Sequence, residues 1–280
     1  MKQVTIQGEA GCFHEAAARG YFQGEQIETI PCQTFPSLFE AMEGDRSLIG
    51  IIAIENTIAG SLLQNHELLR ASRLRVVGEH KIRISHVVAA LPGQSLEQIT
   101  EVNSHPIALR QCEVWLKEHR DKKVVEKDDT AGSAKEIAER GLLSNAAICG
   151  EYAAGLYNLN ILERGVETNK HNFTRFLILA DEELSSSLIE HDKVNKASLA
   201  FTLSHSSGSL SKVLTIFSFY DINLTKIQSM PIIGQEWEYR FYTDLTFDNH
   251  ERYRQSIDAI RPLINDLKIL GEYAEFTPEQ

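Results

Sequence analysis

A chain of 280 residues, 42% hydrophobic and 24% charged, can bury a full core and is long enough for more than one domain. Its formal net charge of −11 argues against nucleic-acid binding, which depends on clustered Lys and Arg, and its longest apolar run, Leu48 to Ile54, is too short to cross a bilayer. The start, MKQVTIQGEAG, lacks an apolar h-region and a small-residue cleavage site, so a cytoplasmic location is expected.

From Val4 to Leu179 short apolar strands alternate with amphipathic helices. Strands are predicted at 4–6, 27–30, 48–54, 83–91, 124–127, 146–149 and 173–179, and helices at 13–22, 38–43, 61–71, 106–119, 131–142 and 151–156. This alternation is that of an α/β protein with mostly parallel sheet, and it does not decide between one sheet and two. The polar, Ser-rich stretch DEELSSSLIEHDK, Asp181 to Lys193, reads as an interdomain linker. Beyond it the pattern gives strand 196–203, helix 208–220, strands 223–230 and 236–247, helix 251–263 and strand 268–276. That βαββαβ order is the ferredoxin-like motif, with a hairpin turn at Ile233 to Gln235. Units of this kind pair edge to edge, which makes a homo-oligomer the expectation.

The cysteines Cys12, Cys32, Cys112 and Cys149 form no CxxC pair and read as buried thiols. The histidines form no ligand cluster, so no metal is expected. Three strings place small polar residues where a strand gives way to a helix: AIENTIAGSLLQNHELL from Ala53, NSHPIALRQC from Asn103 and DDTAGSAKEIAE from Asp128. Such junctions hold anions, because free backbone N–H groups and the positive helix end face the loop. Gly60 and Ser61 are read as opening one helix, and Thr130, Ala131, Gly132 and Ser133 another. Ser61, Thr130 and Ser133 serve there as N-caps, as anion donors, or as both. Ser104 and Gln111 flank a helix started by Pro106. A final strand, NFTRFLIL from Asn172, carries an amide, the Thr174 hydroxyl and the Arg175 guanidinium at its start.

Together with IQGEAGCFHEAA from Ile6, GSLSKVL from Gly208 and INLTKIQSMP from Ile222, these strings in this order resemble the monofunctional prephenate dehydratases, nearly end to end. The resemblance implies a two-lobed, periplasmic-binding-protein-like catalytic domain over 1–180, with lobe one at about 1–78 and 172–180 and lobe two at about 79–171. It further implies a linker at 181–194 and a ferredoxin-like ACT regulatory domain over 195–280. The implied reaction converts prephenate to phenylpyruvate, water and carbon dioxide in phenylalanine biosynthesis, without a cofactor and with phenylalanine as effector. Arogenate is the alternative substrate, and a non-catalytic amino-acid sensor on the same fold is the alternative of a different class.

On this resemblance Thr174 is the hydrogen-bond donor to the leaving hydroxyl, where strand propensity alone would make it an ordinary strand residue. Glu55 and Asn56 join it as catalytic residues, Glu55 relaying a proton only if burial favours its neutral form. Thr57 stands where the family usually has Ser. Substrate contacts are implied for Thr57, Gly60, Ser61, Ser104, Gln111, Asp129, Thr130, Ala131, Gly132, Ser133, Arg175 and Phe176. Arg175 points away from Thr174 on a regular strand and is either a carboxylate anchor or half of a structural ion pair. His14 replaces a small hydroxyl residue and reads as a surface histidine or as a protonated imidazole offsetting the negative charge. A phenylalanine pocket is implied at Gly208, Ser209, Leu210, Asn223, Leu224 and Ser229. The family's Glu-Ser-Arg-Pro stretch is here Gln228, Ser229, Met230 and Pro231, which leaves open a domain that only dimerises the enzyme.

Overall fold

The computed structural model describes residues 1–232, 234 and 238–277. In chain order it contains β1 (Lys2–Gln7), α1 (Phe13–Tyr21), β2 (Ile27–Cys32), α2 (Phe35–Gly44), β3 (Ile49–Asn56), β4 (Gly60–Ser61), α3 (Leu63–Ala71), β5 (Arg75–Arg83), β6 (Val87–Ala90) and β7 (Glu101–Ser104). There follow α4 (Pro106–Gln111), α5 (Glu113–Glu118), β8 (Lys123–Glu126), α6 (Thr130–Arg140), β9 (Asn145–Cys149), α7 (Glu151–Leu156), β10 (Asn160–Arg164), β11 (Phe173–Ala180) and α8 (Glu182–Leu188). The chain closes with β12 (Lys196–Thr202), α9 (Ser209–Phe219), β13 (Asn223–Pro231), β14 (Tyr239–Thr246), α10 (His250–Ile260) and β15 (Asn265–Tyr273). By contacts it separates into two compact units, Met1–Ala41, Ile51–Gly60 and Lys81–Phe176 in one, and Met42–Gly50, Ser61–His80 and Leu177–Gln280 in the other.

Three sheets organise these elements. The first has the order β2-β1-β3-β11-β5, with β4 on β3, and the second β10-β6-β9-β7-β8. Parallel pairs such as β1 with β2 and β7 with β8 need a crossover, and the intervening amphipathic helices supply it. Both sheets bury apolar strands: Val4, Ile6, Ile51 and Ile52 in the first, and Val88, Val102 and Ile148 packed with Trp115 in the second. The second sheet is mixed, because β6 pairs antiparallel with both β10 and β9, where the alternation led one to expect mostly parallel pairing. The α/β fold is the periplasmic-binding-protein-like one that the resemblance leads one to expect.

The third sheet is fully antiparallel, in the order β13-β14-β12-β15. With α9 and α10 it is a ferredoxin-like βαββαβ unit. Its central strand β12 is buried along its whole length, and Leu199, Phe201 and Leu245 pack with Val213, Phe217, Tyr253 and Ile257 of the helices. Ile233 and Gln235 of the expected hairpin turn lie outside the described residues. The expected linker contains helix α8, which Asp181 caps by accepting from Glu183 N.

Several local expectations are corrected. The predicted strand 83–91 covers β6 and only the last residue of β5, which was otherwise not predicted, and the backbone between the two changes partners: Ile84 N donates to Asn172 O and His86 N to the Glu167 carboxylate. Strands β7 and β10 carry too little sequence pattern to be predicted. The predicted helix 106–119 breaks at Cys112, where Gln111 O accepts from Thr168 N instead of continuing the helix. Gly60 and Ser61 form strand β4 and do not open α3, which starts at Leu63 after an uncapped Leu62.

Candidate functional site

Asn56 ends β3 and organises the turn after it. Its Oδ1 accepts from Ile58 N at 2.9 Å and Ala59 N at 2.8 Å, so the amide orientation is fixed by two backbone donors. Its Nδ2 then faces β11, where it lies 2.7 Å from Asn172 Oδ1, 3.2 Å from Phe173 O and 2.9 Å from Thr174 Oγ1. An NH2 group can donate and cannot accept, so Thr174 Oγ1 accepts this bond and keeps its own hydrogen for another partner. Asn56 is the hydroxyl's side-chain partner among the described residues. Both side chains are 8% exposed. Asn172 is fully buried, and its Nδ2 finds no acceptor among the described residues.

Thr57 clips the start of β11 in place. Its Oγ1 donates to His171 O at 3.1 Å and accepts from Phe173 N at 3.0 Å, so the hydroxyl at this position serves the backbone. Arg175 Nη1 stands 3.7 Å from Glu55 Oε2, the geometry of the ion-pair alternative. The Glu55 side chain is 41% exposed, so the burial that a proton-relay role required is missing. Phe176, expected to touch substrate, is a core residue with its ring against His14.

His14 corrects both of its readings. It is neither a surface residue nor a cation: it is buried between the rings of Phe35 and Phe176, and its Nε2 accepts from Ala53 N at 3.2 Å. Burial pushes its pKa from 6.5 down to about 3, so the ring is neutral at physiological pH.

A second cluster gathers around Gln111. Its Oε1 lies 2.9 Å from His86 Nε2, and His86 packs edge-on against Phe13. Glu167, 1% exposed, accepts from His86 N at 2.9 Å and from Arg83 Nη2 at 3.0 Å. Burial raises the Glu167 pKa, but the His86 N–H and the charges of Lys170 and Arg83 outweigh it and hold the carboxyl below its ordinary range. Sequence reasoning missed His86 and Glu167. The available signal was a histidine inside the apolar run RISHVVAAL. Ser104, by contrast, spends its hydroxyl on Ile148 O at 2.6 Å, and the N-cap of α4 is His105.

The third group lies at the start of α6. Asp129, not Thr130 or Ser133, is the cap: its Oδ1 accepts from Gly132 N at 2.7 Å. Ser133 Oγ donates to Asp129 O at 2.8 Å, and Ala131 is fully buried. Burial raises the Asp129 pKa, against the pull of the Gly132 and Ala131 N–H groups. The carboxylate stands where an external anion was expected. It also lies beside Gly8, whose φ of +105° favours glycine and where an added Cβ would come within 3.1 Å of Asp129 Oδ2.

In the ferredoxin-like unit, Gly208 caps α9 with φ 78° and is exposed. A cavity of about 140 Å³ is lined by Leu203, Ser204, His205, Ser209, Leu210 and Phe241, among others. Leu224 packs on the domain core, whereas Asn223 and Ser229 are exposed on β13, and none of the three lines that cavity. Among the described residues no group of His, Cys, Asp or Glu side chains is arranged to hold a metal ion, and no helix is long and apolar enough to cross a membrane.

A family model for prephenate dehydratase matches residues 4–184. Arogenate dehydratase/prephenate dehydratase 6 of Arabidopsis thaliana, a chloroplastic protein, is 36% identical over 99% of this chain and 70% of its own length. A solved prephenate dehydratase from Arthrobacter aurescens in complex with L-Phe aligns with a TM-score of 0.85 and 26% identity, covering 97% of this chain and 89% of that one. A solved chain described as a novel type of quorum-quenching acylase aligns with a TM-score of 0.86 and 28% identity over 98% of both chains. The chain belongs to the prephenate dehydratase family.

Proposed function

We propose that the protein converts prephenate to phenylpyruvate, with Thr174 as the donor to the departing ring hydroxyl. The carrying observation is the 2.9 Å bond from Asn56 Nδ2 to Thr174 Oγ1, which leaves the threonine hydrogen free to be given away. In the reaction the ring carboxylate leaves as carbon dioxide, and its bonding pair enters the ring. The pair completes the aromatic ring as the ring C–O bond breaks, and the oxygen keeps the C–O bonding electrons and takes a proton to leave as water. A hydroxyl is too weak an acid to supply the proton outright at neutral pH, so Thr174 stabilises the charge growing on the oxygen while solvent completes the transfer. Gln111 holds the substrate through a neutral amide, Asn56 acts through the Thr174 hydroxyl because its own amide is spent inside the protein, and Arg175 follows Thr174 in the sequence.

The catalytic domain spans 1–180, with its lobes at about 1–78 with 172–180 and at 79–171, the linker 181–194 and an ACT domain 195–280. The βαββαβ order and the antiparallel sheet support the last of these. Phenylalanine is the effector. It binds at the exposed start of α9, where Ser209 and Leu210 line the small cavity next to Gly208, and Asn223, Leu224 and Ser229 complete the pocket from a second subunit. Strand β13 lies at a sheet edge with Ile227 exposed, which suits a homo-oligomer assembled through this domain, acting in the cytoplasm without a cofactor.

The direct test supplies purified protein with prephenate, with arogenate and with an acylated quorum-sensing signal, following phenylpyruvate, phenylalanine and free acid. Phenylpyruvate from prephenate is the expected result. Turnover of arogenate alone would move the substrate assignment, acid release alone would move the reaction class, and binding without turnover would favour a sensor.

A further inference from the structure

Beside the proposed site lies a group that the reaction scheme leaves without a task. His86 is 1% exposed, and its Nδ1 is buried with no hydrogen-bond partner among the described residues. Its Nε2 lies 2.9 Å from Gln111 Oε1. The Gln111 NH2 donates to no described residue and is not among the buried polar atoms left without a partner.

The backbone around the pair is fixed from one short segment. Val166 N donates to His86 O at 3.1 Å, the Glu167 carboxylate accepts from His86 N, and Thr168 N donates to Gln111 O at 2.8 Å. Three consecutive residues therefore hold both main chains, and Thr168 Oγ1 also accepts from Val114 N at 3.3 Å at the start of α5. Five residues after Glu167 the same segment reaches Asn172, whose carbonyl accepts from Ile84 N and whose side chain meets Asn56.

Tautomer logic follows from the unpaired nitrogen. If Nδ1 carried the hydrogen, a buried N–H would have no acceptor, a situation that folded proteins largely avoid. With the hydrogen on Nε2, the ring donates to Gln111 Oε1, and the bare Nδ1 is an acceptor, the milder deficit. The amide then has one orientation: its oxygen is held by His86, and its NH2 is turned away and available to an anion.

We propose that His86 is a positioning residue, which fixes the Gln111 side-chain amide so that it presents its NH2 group to a carboxylate or hydroxyl of the substrate. The assignment rests on the reading of Gln111 as a substrate contact. It gives a chain of net charge −11 a neutral donor that is already oriented before an anion arrives.

The test has an arm that does not depend on turnover. Long-range 1H–15N correlation of the histidine rings in the full chain should show His86 as the neutral Nε2–H tautomer, and an Nδ1–H or doubly protonated ring overturns the proposal. In kinetics with prephenate, His86→Leu should raise KM about 3- to 10-fold, the loss expected for one neutral hydrogen bond, with kcat nearly unchanged. His86→Gln, which restores an N–H donor at similar reach, should recover most of the wild-type KM. A His86→Leu variant that lowers only the melting temperature and leaves KM alone makes the residue structural and contradicts the proposal. If the wild type shows the expected tautomer but no turnover of prephenate, the substrate reading fails, and the orientation of Gln111 stands.

Discussion

Two junctions in this molecule carry nearly the same sequence signature, small residues and hydroxyls after a strand, and use it in opposite ways. After β3, the chain does not open a helix at Gly60 and Ser61. It turns on Asn56, whose amide spends its oxygen on two backbone N–H groups and its hydrogens on β11. Before α6, the helix N-terminus does exist, but the protein's own Asp129 carboxylate fills it. The first junction exports a hydrogen-bond donor through Thr174, and the second consumes its donors internally. The contrast shows why a helix start in a sequence is not by itself an anion site: the cap can be an anion already. It also suggests how an acidic chain receives an anionic substrate, through oriented neutral groups instead of helix termini.

The largest effect should come from the exporting junction. Thr174→Val keeps the shape and removes the hydrogen, so kcat should fall about 100-fold or more with KM little changed, the mark of a donor used in the transition state. Steady-state kinetics checks this, and Thr174→Ser should retain most of the activity. Next, Gln111→Ala removes a donor to a charged ligand, which typically costs about 1.5 to 3 kcal/mol of binding, so KM should rise about 10-fold or more. An unchanged KM takes Gln111 out of the site.

Acid stability tests whether a hidden cation offsets the negative charge. The buried His14 has its pKa pushed down to about 3, and His80 and His86 are also shifted below 6.5 by burial. Below pH 6.5 the unfolded chain therefore binds protons that the folded chain does not, and stability is lost as pH falls. His14 contributes up to about 1.4 kcal/mol per pH unit once the pH is well below 6.5, and His80 and His86 add to the loss in the same direction. Urea unfolding between pH 6.5 and 5 should show that slope, and His14→Leu should make it shallower by one proton. An unchanged slope means that His14 is charged in the folded state.

The smallest effects belong to the filled helix terminus. Asp129→Ala should cost about 1 kcal/mol of stability through loss of the cap. Asp129→Asn keeps the acceptor and removes a buried charge. Because the folded pKa of Asp129 is raised, ionising it opposes folding as pH rises above 3.8, so the asparagine variant should be at least as stable as the wild type at neutral pH. Thermal melts of both variants decide this. If prephenate instead binds the Asp129→Asn enzyme about ten times more tightly, the terminus does receive the substrate anion.

What the chain discloses and what it hides follow from the range of the interactions. The βαββαβ unit was legible because its strands and helices carry their own periodicity, with β12 marked by Ala197, Leu199, Ala200 and Phe201. The break between β5 and β6 was hidden because it depends on bonds to Asn172 and Glu167, distant in the chain. Asn56 and Thr174 were legible one by one, through resemblance, but their contact spans 118 residues and no local pattern encodes it. The pair of His86 and Gln111 was invisible for the same reason. At α6 the string Asp-Asp-Thr offers three residues that all cap well, and only the extended backbone at Asp129 selects among them. His14 could not be placed from sequence because a histidine one residue into a helix looks alike whether its face meets solvent or Phe35 and Phe176.

The central claim is that Asn56 acts on catalysis through the Thr174 hydroxyl. A double-mutant cycle on kcat at saturating prephenate, with Asn56→Ala, Thr174→Val and the pair, tests it most directly. The account predicts that Asn56→Ala alone slows turnover about 10-fold, the scale of one oriented hydrogen bond, and adds almost nothing once Thr174 is valine. If Asn56→Ala slows the Thr174→Val enzyme by its full factor again, the two residues work independently, and the account is contradicted.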